Sequence, residues 1–250
     1  MGIIEWAQRR ETPLQRRVFV MLKAASRYNV PVIPGLHHAL LAERRFRKGP
    51  LRLLASKIYK EPLLRLQCES VGRDLLILEE MPKIIGNLRA RLGAQVTLGG
   101  QQTWIAAGSG TAKTLEIGDD TGIGHRTELI VGESIKIGSH VMIANRVSMM
   151  GFDGHPLDPY ARVRNDPPGP EGIGRITIGD YAWIGSDVTI MKNVTIGRGA
   201  VVSARSVVKF NVPDLTVVAG NPAKAVWQIQ APEGWEPSVK DSPSLKRPAV

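Results

Sequence analysis

The sequence predicts a mainly β chain, a parallel β-helix of stacked coils preceded by a helical segment. Three observations lead there. Aliphatic residues return every six positions through the centre of the chain. The excess positive charge is confined to its first two fifths. One Gly-, Pro- and Asp-rich stretch interrupts the six-residue period.

The period is clearest from Ile178, where Ile184, Ile190, Ile196, Val202 and Val208 follow at steps of six. A second phase holds small or β-branched residues four positions later: Ala182, Val188, Val194, Ala200, Ser206 and Val212. The same pattern runs upstream through Val131, Ile137, Ile143 and Met149, with Ile135, Val141 and Val147 in the second phase. Ile117 and Ile123 are offset by two, which predicts one irregular coil near Leu129. Six matches neither a helix nor a simple alternating strand. It fits a short strand plus a tight turn, three of which close one triangular coil. A single repeat cannot bury its apolar face, so the coils must stack. Gly179, Gly185 and Gly197, with neighbouring Asp and Asn residues, suit turns that need unusual backbone angles.

The segment before this, residues 1–95, reads as helical. Leu14, Val18, Met21, Leu22 and Ala25 recur at three- and four-residue steps between Pro13 and Tyr28, which places them on one helical face. Further helices are expected over Leu36–Phe46 and Leu51–Tyr59, punctuated by Pro31, Pro34, Pro50 and Pro62. Residues 1–95 hold 18 Lys or Arg against 8 Asp or Glu, whereas residues 96–250 hold 15 of each, so the whole net charge of +10 lies in this segment. A solvated polar face explains such charge. A peripheral contact of residues 1–60 with an anionic membrane is the functional reading. Nucleic acid is not expected as a partner, since zinc-finger spacing and an RNP-like aromatic motif are missing. No run of apolar residues reaches the length of a spanning helix, and the first ten residues carry no secretory pattern. One cysteine, Cys68, forms no internal disulfide, and a cytoplasmic location is expected. Residues 96–226 are assigned to the β-helix, with a loop at 150–175. Residues 227–250, rich in Pro, Ser, Lys and Glu, are assigned to an extended or disordered tail.

Between Met149 and Ile176 the period stops at GFDGHPLDPYARVRNDPPGPEGIGR. This stretch must leave the coil as a loop, and a long loop on a rigid scaffold is a place for function. Of five histidines, only His155 sits in it. An imidazole is suited to take a proton from a hydroxyl near pH 7.

DGHPLDPYAR, followed by ITIGDYAWIGSDVTIMKNVTIGRGAVVSARSVV and TVVAGNPAKAV, resembles the galactoside/maltose acetyltransferase group of the hexapeptide-repeat acyltransferases over about residues 130–226. That resemblance implies a left-handed parallel β-helix, a homotrimer with sites between subunits, acetyl-CoA as acyl donor, no metal, and a sugar hydroxyl as acceptor. It implies that His155 is the general base and that Trp183 of WIG lies along the pantetheine channel. Ser186 and Ala204 would contact the pantetheine amides, and Lys209 and Lys224 would hold the CoA phosphates. The stretch YKEPLLRLQCESVGRDLLI resembles acetyltransferases from polysaccharide gene neighbourhoods.

Two departures bear on the acceptor. The family's amide or carboxylate on an earlier coil has no clear equivalent in GHRTELIVGES, although His125, Arg126 and Thr127 lie there, and the basic N-terminal segment differs from the short lead-in of the sugar acetyltransferases. Serine O-acetyltransferase, which also joins helices to a β-helix, is the nearest enzyme alternative, and acyl carrier protein is an alternative donor. A non-enzymatic trimeric scaffold is a further reading. A γ-type carbonic anhydrase is disfavoured because His125, His140 and His155 include no closely spaced pair.

Overall fold

The computed structural model describes residues 2–108 and 110–235. The fifteen-residue end of the expected tail, 236–250, therefore lies outside the described residues. The chain divides into two compact units, Met1–Gly49 and Pro50–Val250.

The first unit is helical: Ile3–Gln8, Pro13–Ser26 and Pro34–Lys48. The second helix starts where the sequence dictates. Thr12 and Gln15 form a capping box, the Gln15 N–H donating to Thr12 Oγ1 at 3.2 Å and the Thr12 N–H to Gln15 Oε1 at 2.8 Å, with Pro13 in the first turn. The apolar stripe expected on this helix is present but not covered, since Leu14 and Met21 are exposed.

The second unit is a parallel β-helix, the fold the six-residue period predicts. Three sheets of six, eight and six strands run along it. One turn passes through Ser134–Ile137 of the first sheet, Met142–Ile143 of the second and Ser148–Met150 of the third. Residues in the same position of successive turns pair directly: Ile117, Ile137, Ile178 and Ile196 form one column, and Ile123, Ile143, Ile184 and Val202 another. These side chains are fully buried or nearly so and belong to one hydrophobic core. Ile117 pairs with Ile137, so that turn is two residues longer than three six-residue units. Both extra residues fall between Leu129 and Ile137, which is the irregular coil expected there.

The expected helical segment ends too late. Helix stops at Gln67, and strands begin at Ser70–Val71, so residues 70–92 already form β-helix turns instead of helix. Helical residues at the start of this unit, Pro50–Ala55, a π-turn at Ser56–Lys60 and Glu61–Gln67, close its N-terminal end. Leu64 joins the core, Ser56 Oγ accepts the Ile77 N–H at 3.3 Å, and Lys57 donates to the Leu75 carbonyl at 2.8 Å. An open end would leave the first coil's apolar face in water, so such a cap is required. At the other end Thr216–Gly220 and Ala223–Gln228 pair as an antiparallel hairpin, which continues ordered structure past the expected boundary at 226.

The glycines act differently from the expectation. Gly179, Gly185 and Gly197 do not adopt left-handed backbone. They are needed for closeness: a Cβ on Gly185 would lie 2.6 Å from the Ala204 nitrogen, and one on Gly179 2.7 Å from the Arg198 nitrogen. The left-handed positions are held by other residues, among them Asp120, His140 and Tyr181 at the corner between first and second sheets.

The buried columns predict a position-dependent stability. Ile178→Ala is expected to lower the unfolding free energy by about 2–5 kcal/mol, because the packed interior cannot collapse into the space. Lys136→Ala, on the outer face of the strand that pairs with it, is expected to change it by under about 0.5 kcal/mol. Urea titration of both variants measures this.

Candidate functional site

From Gly93 onward, the first corner (between first and second sheets) and the second corner (between second and third sheets) keep a constant four residues. Variation in length is left to the third corner, between third and first sheets. Here the connection is two residues at Gly132–Glu133 and again at Lys192–Asn193, but runs from 151 to 174 in between. The first sheet resumes its register across that insertion, Ile137 pairing with Ile178. The expected loop at 150–175 is therefore an excursion from an uninterrupted scaffold.

The loop has a tied base and an internal fold. Phe152 and Ile173 bridge antiparallel, the Asp153 N–H donates to the Gly172 carbonyl at 2.9 Å, and the Asp153 carboxylate pairs with Lys192 of the third corner. A short helix, Pro159–Val163, is capped by Asp158 Oδ1, which accepts the Tyr160 N–H at 2.8 Å. The Arg162 guanidinium donates to the Pro156 and Leu157 carbonyls at 3.0 and 2.6 Å. His155 stands between Gly154, whose φ is +83°, and buried Pro156, with its ring exposed.

Trp183, Ser186, Ala204 and Lys224 occupy a different side of the triangle. Trp183 points outward from the second sheet and is 51% exposed; it pairs with Met142 on one side and Val201 on the other. Ser186 and Ala204 lie at the second corner on consecutive turns, where the Ser186 carbonyl accepts the Arg205 N–H at 2.9 Å. Lys224 is exposed on the last strand of the second sheet, opposite Ala219. Lys209 is exposed just beyond Val207–Val208, at the third corner. The third corner is the vertex opposite the second sheet. One chain thus gathers Trp183, Ser186, Ala204 and Lys224 along one sheet and its edge, and sends the His155 loop out from the opposite vertex.

The second sheet also bears a cavity of about 600 Å³ that sequence reasoning did not find. Its lining includes Arg52, Glu79, Gly122, His125, Met142, Asn145 and Trp183, and no residue of the 151–174 loop. His125 Nδ1 lies 3.0 Å from Glu79 Oε2, and the His125 N–H donates to Asn145 Oδ1 at 2.9 Å. GHR, already noted for its position, marked His125; Glu79 lies two turns away in chain order and carries no signal by itself. Beside Ser186, Arg146 holds the Asp187 carboxylate with two bonds of 2.6 and 2.8 Å, and this hydrogen bonding keeps the Asp187 carboxyl below its ordinary pKa. The three histidines of the β-helix are dispersed: His125 at the second corner, His140 paired with Asp120 at the first, His155 in the loop at the third. Among the described residues no three metal-ligating side chains come together. No helix among them is long and apolar enough to cross a membrane.

The coil geometry agrees with the comparison to known families. The family described as bacterial transferase hexapeptide (six repeats) matches residues 175–209, the turns that carry Trp183, Ser186 and Ala204. Over those turns the chain is similar to the hexapeptide-repeat transferases. It is 38% identical over 113 residues to a Saccharomyces cerevisiae protein named for acetyltransferase activity, covering 45% of this chain and 55% of that one. It is 35% identical over 110 residues to serine acetyltransferase 2 of Arabidopsis thaliana, covering 44% of this chain and 29% of that one. Among solved structures, it is similar to the polySia specific acetyltransferase NeuO, with a TM-score of 0.50 and 25% identity over 67% of this chain and 87% of that one. This chain spans between 27% and 55% of the length of the curated relatives it matches first.

Cys68 is not poised as a nucleophile. Burial pushes its thiol up to about 11, which leaves little thiolate at neutral pH. Its reaction with a disulfide reagent at pH 8 is expected to be at least ~10-fold slower than that of free cysteine, and to reach the free rate in denaturant. Equal rates in the folded protein would contradict this placement.

Proposed function

We propose that this chain transfers an acetyl group from acetyl-CoA to a sugar hydroxyl, with His155 as general base, at a site formed between copies of the chain in a homotrimer. The observation that carries this reading is the division of the site within one chain. Trp183, Ser186 and Ala204 line one face and its edge on consecutive turns, while the exposed His155 leaves from the opposite vertex. Side-by-side packing of parallel β-helices would set the vertex of one protomer beside the second sheet of the next.

In this reading Trp183 flanks the pantetheine arm, and the corner backbone at Ser186 and Ala204 meets its amides. Lys209 and Lys224 hold the CoA phosphates as point charges. His155 takes the proton of the acceptor hydroxyl as its oxygen adds to the thioester carbonyl. Backbone N–H groups at the coil corners steady the tetrahedral oxyanion. The imidazolium then returns the proton to the departing sulfur, so no covalent enzyme intermediate is formed. The donor places the reaction in the cytoplasm. The sugar acceptor is supported by the likeness to an acetyltransferase specific for polySia. The relative named as a serine acetyltransferase favours a second reading, with serine as acceptor.

His155→Ala is expected to lower kcat for acetyl transfer by about 10²- to 10⁴-fold, the range of a positioned general base, with the dissociation constant for acetyl-CoA unchanged. An acceptor panel of sugars and serine, read by free thiol and product mass, measures both points. Undiminished kcat in the variant would exclude His155 as the base, and acetylated serine would select the second reading.

A further inference from the structure

The cavity on the outer face of the second sheet contains an unusual absence. The outward row across it reads Thr97, Gly122, Met142, Trp183, each paired with the next. Glycine weakens a strand and is kept where something must approach the backbone. Gly122 has no such reason within the chain: a Cβ there would meet nothing within 4 Å, and its φ lies outside the left-handed region. This differs from the glycines nearby. A Cβ on Gly99 would lie 2.6 Å from the His125 nitrogen, and one on Gly100 would lie 2.6 Å from Glu79 Oε2. Those two glycines make room for Glu79 and His125, whereas Gly122 makes room for nothing that the chain itself supplies.

The surrounding groups define what fits. Met142, 63% exposed, and Trp183 offer apolar and aromatic surface to the C–H face of a ring. Glu79 accepts from hydroxyls. His125 has Nδ1 engaged by Glu79, which leaves Nε2 for a ligand, and the Asn145 amide keeps its two N–H donors. Among the described residues the lining holds one fixed cation, Arg52, and its guanidinium lies 3.8 Å from Glu79 Oε1. An anionic ring would therefore lose its water without gaining a free counter-charge.

We infer that the space over Gly122 is the seat of the acceptor's sugar ring, and that Glu79 and His125 select an uncharged hexopyranose over its uronate. The inference rests on the acetyl-transfer reading and assigns its substrate class. Gly122 sets the depth of the seat, Met142 and Trp183 form its wall, and the Glu79–His125 pair reads the hydroxyls.

The test uses the full chain with methyl hexopyranosides and the corresponding methyl hexuronates, read by acetyl transfer and, separately, by ligand-observed NMR binding. The wild type is expected to favour the neutral glycoside by at least tenfold in kcat/KM. Gly122→Leu, whose side chain enters open space, is expected to keep its melting temperature and its acetyl-CoA affinity while raising KM for the glycoside at least tenfold. Glu79→Gln is expected to narrow the preference over the uronate. A folded Gly122→Leu protein with unchanged KM, or a wild type that prefers the uronate, would overturn the inference. If no sugar is acetylated, the transfer reading fails by itself and binding decides the cavity. Glycoside binding that is lost in Gly122→Leu upholds the seat, and no glycoside binding to the wild type overturns it.

Discussion

Everything in the β-helix depends on how closely one turn can lie on the next at its corners. The chain must turn from one sheet into the next within four residues, and each turn exposes backbone N–H groups that need partners. Three levels of the first corner share one solution. A polar side chain from the following turn accepts the N–H: Asp119 Oδ1 from Ala94 at 2.7 Å, Asp180 Oδ1 from Ser139 at 2.8 Å, Asp214 Oδ1 from Arg198 at 2.8 Å. For that oxygen to reach the backbone, the residue before it must lack a Cβ. A Cβ on Gly197 would lie 2.6 Å from Asp214 Oδ1. Glycine on one turn and aspartate on the next are thus two halves of one contact.

The third residue of these corners takes left-handed backbone, a conformation disfavoured for residues with a side chain. Its N–H is bonded to the turn below: His140 to the Asp119 carbonyl at 2.8 Å, Tyr181 to the Ser139 carbonyl at 3.0 Å. These ladders fix the first two corners in length. The third corner varies in length, and there the His155 loop emerges. The same rigidity holds Trp183, Ser186 and Ala204 in line along the stack. Function is divided between the part of the coil that cannot vary and the corner that can.

How far this was legible varied with the range of the contact. The six-residue period is a local pattern whose meaning is set by the stack, so the β-helix and the loop could be read directly. The start of the β-helix was missed because its first strands, Leu76–Ile77 and Lys83–Ile85, lie seven rather than six residues apart. Leu92, Leu98 and Trp104, with Gly93 and Gly99, do show the period and would have moved the boundary back. Trp183, Ser186 and Ala204 could be read because they sit inside the regular repeats. The cavity could not, since Glu79 joins Gly122 and His125 only when turns far apart in sequence are stacked. Gly122 in particular looks like any other turn glycine until its surroundings show that it is empty.

The central claim is that the catalytic site is shared between chains, and subunit mixing tests it most directly. His155→Ala and Trp183→Ala proteins, each first assayed alone, would be unfolded together and refolded in equal amounts. If one chain supplies the base and its neighbour the tryptophan face, random assembly restores both halves at about a quarter of the interfaces, and acetyl transfer returns to about that fraction of the wild-type rate. Activity that stays at the level of the separate variants, in assemblies confirmed to be mixed, would place both residues in the same chain's site and contradict the account.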